Sequence, residues 1–539
     1  MAVPVVVLAA DSSLPQQWQL ALLLVLVPLL LLHLVASCSG KGGGRRLHLP
    51  PGPPRLPILG NLHQLGSLPH QSLRELARRH GPVMLLRLGS VPTLVVSSAE
   101  AAREVMKARD ADCCSRPDTP GARRLSYGHK DVAFAPYSEY WREMRKLFVV
   151  ELLSARRVRT AEYSREAEVE KLVARLRSSA AAGTPVLLED HVFALMDGVI
   201  GTVALGNIYG TEQFAHRSHF HEVLDEAMSA KAGFHAEDYY PNALGRLVDR
   251  LTGAAARRER VFRDLDAFFD TIIDQHMADP PSSRGNGSAD LIDVFVALME
   301  ERRRHRHDEG GPLAFTRDHI KGLLSNVFTA SVDTSSVTMV WAMTELIRRP
   351  AMLRKAQEEV RAVVGGGKAR VHPDDVAKLR YLKLVVKETL RLHPAVPLLL
   401  PRETLRPVTI CGYDVPARTR VLVNAWAIGR DPRSWGQDAE EFRPERFEEK
   451  PRDAVGFGGT HFELVPFGAG RRMCPGMAMG VATTEFTLAN LLYCFDWELP
   501  EGVRSQDVSV EEAGGLTAHK KTPLLLVPTA YKPAALSAQ

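Results

Sequence analysis

Phe467-Gly468-Ala469-Gly470-Arg471-Arg472-Met473-Cys474-Pro475-Gly476 is the stretch on which the fold turns. Glycines at 468 and 470 permit tight backbone turns and the close approach of a flat ligand. An apolar helical pattern, Met477 to Leu499, follows at once, so Cys474 stands at a helix N-terminus. Free N–H groups and the helix dipole favour a thiolate there. A thiolate beside an arginine suits a metal porphyrin, with sulfur on the metal and a guanidinium on a propionate. A buried inert cysteine and a reactive catalytic thiol are the competing readings. The second needs a histidine partner, which spacing cannot establish.

Upstream, a helical pattern from Pro373 through Leu392 carries Glu388 and Arg391. Their i, i+3 spacing puts them on one face, and a surface salt bridge is the default reading of such a pair. Short β-like pieces follow at Val408–Tyr413 and Arg420–Asn424, then a largely irregular stretch from Asp431 to Gly470. Further back, His319 to Arg349 reads as one helix stopped by Pro350, about 46 Å long and enough to cross a domain. Its middle is apolar on several sides, yet Ser331, Asp333, Thr334, Ser335 and Ser336 cluster halfway along. Buried polar groups need partners, so this cluster either bonds back to its own helix or serves a site. From Gln71 to about Glu300 the pattern is mainly helical, with a β-like stretch at Val83–Val96 and breaks at Ala180–Thr184 and Asp279–Asp290.

Composition narrows the function classes. The 539 residues are 45% apolar and 24% charged, with Gly 40 and Pro 35, which excludes collagenous, largely disordered and polytopic membrane chains. The balance 68 − 63 = +5 is mild and spread along the chain, so no nucleic acid is expected as a partner. Six cysteines without a C-x₂₋₄-C pair argue against a disulfide framework and a zinc site. Leu20 to Ala36 is 17 residues without a charge, just long enough to cross the roughly 30 Å hydrocarbon layer. No Lys or Arg precedes it, while Lys41, Arg45 and Arg46 follow, which argues for an uncleaved anchor rather than a signal peptide. Five prolines within Pro50–Pro57 then make a semi-stiff extended connector. The expected organisation is an anchor at 1–40 (spanning about 18–37), a basic stop and hinge at 41–60, and one catalytic domain at 61–530.

Taken together, these motifs resemble the cytochrome P450 superfamily of haem-thiolate monooxygenases. The signature F-x-x-G-x-R-x-C-x-G is met at Phe467, Gly470, Arg472, Cys474 and Gly476, and E-x-x-R at Glu388 and Arg391. The resemblance implies a mainly α single large domain with minor β sheets and a long central helix over the haem. Arg446 of Pro444-Glu445-Arg446-Phe447 would join Glu388 and Arg391 in a buried charge network. Trp141 and Arg145 match W-x-x-x-R and imply propionate contacts, with Arg402 as a further one; Phe467 and Gly468 would lie against the cofactor. Ala330-Ser331-Val332-Asp333-Thr334 resembles the oxygen-activating A-G-x-D-T, with serine at the usual glycine.

The implied cofactors are haem b, with Cys474 as axial ligand of its iron, O2, and NADPH acting through a reductase. Asp333 and Thr334 would relay protons. Substrate would lie between Ala330, Ser331, Val396 and Leu398, with Pro120–Tyr127 as a covering loop; Ser331 either narrows this pocket or bonds back to a carbonyl one turn earlier. Ser115-Arg116-Pro117, Asp131–Tyr137 and Phe462–Pro466 resemble the plant microsomal group of specialised metabolism. That group implies an NADPH-cytochrome reductase and a place in the endoplasmic reticulum membrane. The expected lining favours a small lipophilic substrate, and the basic residues after the single-pass anchor put the catalytic domain in the cytosol, beside membrane lipid. A haem-thiolate isomerase or dehydratase needing no reductase, and a non-catalytic haem sensor, are the alternatives.

Overall fold

Thirty-two consecutive residues, Arg317–Arg348, form one helix through the middle of the computed structural model of the protein. The structure describes residues 47–153, 155–206, 223, 226–227, 235–279, 290–304, 314–449 and 454–532. Thr316 and His319 start the central helix with a reciprocal capping box. Its other end precedes Pro350, whose ring suits the first turn of the next helix, Pro350–Val364. Almost all of the central helix is buried, including Phe328 and Trp341. It packs against Leu188–Leu205, Met477–Cys494 and Tyr381–Leu392. Helices Ala155–Ala182, Ala254–Ala278 and Leu291–Arg304 surround this group. Several of its hydroxyls bond back along the helix: Ser336, Thr338 and Thr344 each donate to the carbonyl four residues earlier at 2.8 Å.

A four-stranded sheet flanks the helices. Val83–Leu88 and Val91–Val96 form a hairpin; Arg420–Val423 runs parallel to its second strand, and Arg402–Glu403 closes the other side antiparallel. Its Leu94, Val96, Val421 and Val423 build a second core with Val105 and Ile428. Smaller pairings join Val408–Ile410 to Tyr413–Val415, and Glu512–Ala513 to His519–Lys520. Leu525–Ala530 lies between Val186–Leu187 and Phe495–Glu498. The expected mainly α architecture with minor sheets is therefore present.

Three expected elements differ. The helix from Pro373 to Leu392 is two, Pro373–Val376 and Tyr381–Leu392. The second begins where the Glu359 carboxylate accepts the backbone N–H groups of Arg380, Tyr381 and Leu382 at 2.8, 2.7 and 2.9 Å. The apolar run after the cysteine is helical only to Cys494; Phe495–Glu498 alternates in burial and becomes a strand. Pro120–Leu125, expected as loop, is a short helix capped by Thr119.

The anchor and basic stop lie outside the described residues, as does nearly all of the 279–290 break. Among the described residues no helix is long and apolar enough to cross a membrane. The proline-rich hinge is held against the sheet: Leu85 N–H donates to Pro51 O at 2.9 Å, and Asp414 N–H to His48 O at 2.7 Å.

Candidate active site

Local geometry presents Cys474 to a cavity. Gly468 and Gly470 take positive φ, +66° and +69°, and a Cβ at Gly470 would stand 2.3 Å from Met106 O. Only glycine fits there. Cys474 N–H donates to Phe467 O at 3.0 Å, which closes the loop three residues ahead of helix Met477–Cys494. Burial pushes the Cys474 thiol up, while the backbone N–H groups of Gly476 and Met477 and the charge of Arg145 pull towards the thiolate. Phe467, Gly468, Cys474 and Gly476 all line the cavity.

Four guanidiniums line it as well: Arg116, Arg145, Arg402 and Arg472. Arg472 donates to the carbonyls of Cys114, Val132 and Ala135, and Arg116 to those of Ala133, Leu400 and Pro401. Arg145 donates to Met473 O. Arg402 pairs with Asp110 at 2.9 Å, but Asp110 is shared with Arg471 at 3.0 Å. Asp131 is occupied by the N–H groups of Phe134 and Ala135 and by Asn326. Positive charge is thus in excess. Burial, then repulsion from Arg472 and Arg402, holds Arg116 well below its ordinary range; burial brings Arg472 down to about 10. One thiol facing four crowded guanidiniums fits a flat group that carries a thiophilic metal and two carboxylates. Trp141 stands behind this wall rather than in it. Its indole N–H donates to Val132 O at 2.9 Å, and Arg472 lies 3.9 Å over its ring.

The central helix covers the opposite side with Ala330, Ser331, Thr334, Ser335 and Thr338. Thr334 Oγ1 donates to Ala330 O at 2.7 Å, so the helix stays closed here. Asp333 does not line the cavity. Its carboxylate accepts the Thr517 hydroxyl at 2.5 Å and lies 3.0 Å from His519 Nε2. The acid and the alcohol, neighbours in sequence, therefore face different partners.

The model of the family described as "Cytochrome P450" matches residues 50–527. The chain belongs to the cytochrome P450 family. Among its relatives, a 4-hydroxyphenylacetaldehyde oxime monooxygenase of Sorghum bicolor is 60% identical over 529 residues, covering 97% of each chain. A 2-methylbutanal oxime monooxygenase of Manihot esculenta is 46% identical, covering 97% of this chain and 98% of its own. The fold also matches a zebra fish cytochrome P450 solved with abiraterone, at TM-score 0.70 and 24% identity, covering 86% of this chain and all of that one. The protein is thus a haem-thiolate monooxygenase of the plant specialised-metabolism group, acting with O2 on small metabolites.

In this P450 the Glu388–Arg391 pair is no surface bridge. Arg391 grips Glu388 with two bonds of 2.7 Å, Arg446 adds a third at 2.8 Å, and all three side chains have zero exposure. The remaining guanidinium hydrogens go to the carbonyls of Gly429, Ala439, Glu441, Trp435 and Asp438 and to the Asp438 carboxylate. Around the P450 cavity Val396 lines the wall as expected, but Leu398 does not. Leu399 takes φ +52°, which turns its own side chain and Leu400 inward and leaves Leu398 packed against the core of Leu73 and Met84. Sequence reading also missed Arg116 as a cavity residue, although its motif was noted. It missed Asn326, which accepts the N–H groups of Val132 and Ala133 at 3.0 Å, and it missed Thr517.

Proposed function

We propose that this P450 oxidises a small neutral aldehyde oxime, with electrons delivered from NADPH by a membrane-bound cytochrome reductase. The observation that carries the substrate class is the 60% identity, across 97% of both chains, to an enzyme named for an aldehyde oxime. A second oxime enzyme at 46% supports it. The cavity agrees chemically: apolar Phe148, Ile200, Val327 and Leu399 are interspersed with the hydroxyls of Thr329, Ser331 and Thr517, and its cations sit on the arginine wall. An oxime offers one O–H donor and a nitrogen acceptor, which such hydroxyls match without a charged clamp.

Haem, when bound, supplies the binding and reductive activation of O2 and the transfer of one oxygen atom. Cys474 holds the metal as thiolate, favoured by the N–H groups of Gly476 and Met477. Arg116, Arg145, Arg402 and Arg472 hold the two carboxylates, and Trp141 braces Arg472. Asp333 and Thr334 manage protons on the central helix, and Ala330, Ser331 and Val396 orient the substrate. Glu388, Arg391 and Arg446 keep the cysteine side rigid.

The body, residues 61–530, is proposed to sit on the cytosolic face of the endoplasmic reticulum, anchored by 1–40. Supporting this, helix Ala243–Leu251 exposes Leu244, Leu247 and Leu251 at i, i+3, i+7 spacing. It lies near the exposed Leu56 and Leu59 of the hinge, where Tyr240 Oη donates to Ile58 O at 3.3 Å.

Titrating the ferric enzyme with 4-hydroxyphenylacetaldehyde oxime and with 2-methylbutanal oxime tests the substrate class. The expected result is a Soret shift to shorter wavelength with at least one, and oxime-dependent product when NADPH and reductase are added. Binding and turnover of indoles or terpenoids, with neither oxime accepted, would overturn it.

A further inference from the structure

His519 lies 186 residues beyond Asp333 in sequence, yet the fold brings them into contact. The short hairpin Glu512–Ala513 with His519–Lys520 carries the imidazole to the central helix. Nε2 of His519 is 3.0 Å from Asp333 Oδ1 and 2.9 Å from Thr517 Oγ1, while Thr517 Oγ1 is 2.5 Å from Asp333 Oδ2. Counting hydrogens assigns the donors. With Asp333 ionised, the single hydroxyl hydrogen of Thr517 goes to Oδ2, so Nε2 must bring its own hydrogen to Oδ1 and Thr517. Phe193 stacks on the ring at 6.1 Å and 13°, which fixes its plane. The two ends of the pair differ: the His519 side chain is 40% exposed and that of Asp333 is 13% exposed. One partner meets water and the other is sheltered.

The central helix presents Asp333, and helix Leu188–Leu205 presents neutral Phe193. Lys520, next along the strand, interacts with Glu189 and Arg348. On the paired strand Glu512 is bound to His70, Gln71 and Trp426. The Asp333 carboxylate lies within hydrogen-bond range of the imidazole.

We propose that His519 is the proton inlet of this enzyme, delivering protons from solvent to Asp333. The inference rests on the proposed proton role of Asp333. In the step, the imidazole takes a proton from water at Nδ1. Its Nε2–H bond then breaks as an O–H bond forms at Asp333 Oδ1, leaving a neutral imidazole with its hydrogen on Nδ1. Exchange with water restores the Nε2 hydrogen. No electron moves, so no oxidant or reductant is needed. Because His519 does not line the cavity and reaches it through Asp333 and Thr517, it is a positioning and relay residue.

The test uses the full-length enzyme in reductase-containing membranes with the oxime that it turns over. His519→Gln keeps an N–H for Asp333 but cannot carry a proton, and His519→Phe keeps only the stacking on Phe193. Both should hold haem with an unaltered ferrous carbonyl band. Product formed per NADPH should drop at least about three-fold in both, a small share of what general acids contribute, with peroxide making up the difference. Coupling in the wild type should decline from pH 6 to 8.5 and stay flat in His519→Gln. A readout independent of turnover is histidine-selective NMR of the ferric protein. The His519 signal, assigned by its loss in His519→Gln, should titrate at lower pH in Asp333→Asn, because the lost anion no longer favours the imidazolium. A His519→Gln enzyme with wild-type coupling and pH profile would overturn the inlet and leave the monooxygenase reading standing. A wild type that makes no product from either oxime would overturn the substrate proposal, and the NMR comparison would still decide whether Asp333 governs His519.

Discussion

At the scale of single residues, the cysteine side and the substrate side of this enzyme tolerate change differently. Arg446 contributes one of three buried charges, and Arg446→Ala leaves Glu388 with one guanidinium partner and strands carbonyls of Trp435 and Asp438. Breaking such a network costs about 3–5 kcal/mol. The expected outcome is a sharp loss of folded, haem-containing protein, read as carbonyl-active enzyme per total chain and as the urea midpoint. Ser331 lines the cavity, away from this network. Ser331→Gly should alter the ratio of products or the range of substrates accepted, with haem content unchanged and stability within about 0.5 kcal/mol of wild type. Product chromatography beside carbonyl spectra checks this, and unchanged profiles would mean that the hydroxyl does not touch substrate. Cys474 and Arg472 were legible in sequence because their spacing is chemically rare. The Glu388–Arg391 pair was legible as a pair but not as buried, since i, i+3 spacing says nothing of depth; resemblance supplied that. Leu398 was misplaced because one positive φ at Leu399 changes which side chain points inward.

At the scale of elements, the central helix was readable to within two residues at either end, because its apolar positions run all round it and Pro350 stops it. The break between Pro373–Val376 and Tyr381–Leu392 was not, because its cap comes from Glu359 on another helix. Nor was the contact from Asp333 to the hairpin, which no local pattern encodes. The start of the central helix is pH-sensitive. His319 Nδ1 accepts Thr316 N–H at 3.0 Å and contacts its hydroxyl at 2.8 Å, and burial brings the imidazole down from near 6.5 to about 4. The unfolded chain therefore binds a proton at this site where the native chain does not. Stability from this group is complete above pH 6.5 and falls as pH drops to about 4, by roughly 3 kcal/mol. His319→Gln should remove that part of the acid sensitivity, measured as urea midpoints at pH 7 and pH 4.5. Equal pH dependence in both proteins would show that the cap does not need a neutral ring.

At the scale of the whole molecule, the exposed leucines of Ala243–Leu251 and of the hinge give the body a second proposed hold on lipid besides residues 1–40. Leu251 is 78% exposed, which water alone does not favour. Deleting 1–40 should leave a haem-containing enzyme still partly bound to phospholipid vesicles. Adding Leu244→Gln, Leu247→Gln and Leu251→Gln should release it by at least about ten-fold, since each buried leucine contributes up to about 1.5–3 kcal/mol. Flotation of both proteins with vesicles is the measurement, and equal flotation would move the lipid contact elsewhere. The anchor is expected from an uncharged run with basic residues on one side and lies outside the described residues. The exposed leucine face of helix Ala243–Leu251 was not legible, because three leucines on a nine-residue helix look like any core-facing stripe until neighbours are seen.

A newly made chain must bring Arg116, Arg145, Arg402 and Arg472 onto one wall, where like charges press on one another. A dianionic tetrapyrrole would relieve that pressure, so its binding should stabilise the folded body. Chains without it should be less stable and more readily degraded. The amount of this enzyme in a tissue should therefore follow the rate of porphyrin synthesis as well as the abundance of its messenger RNA.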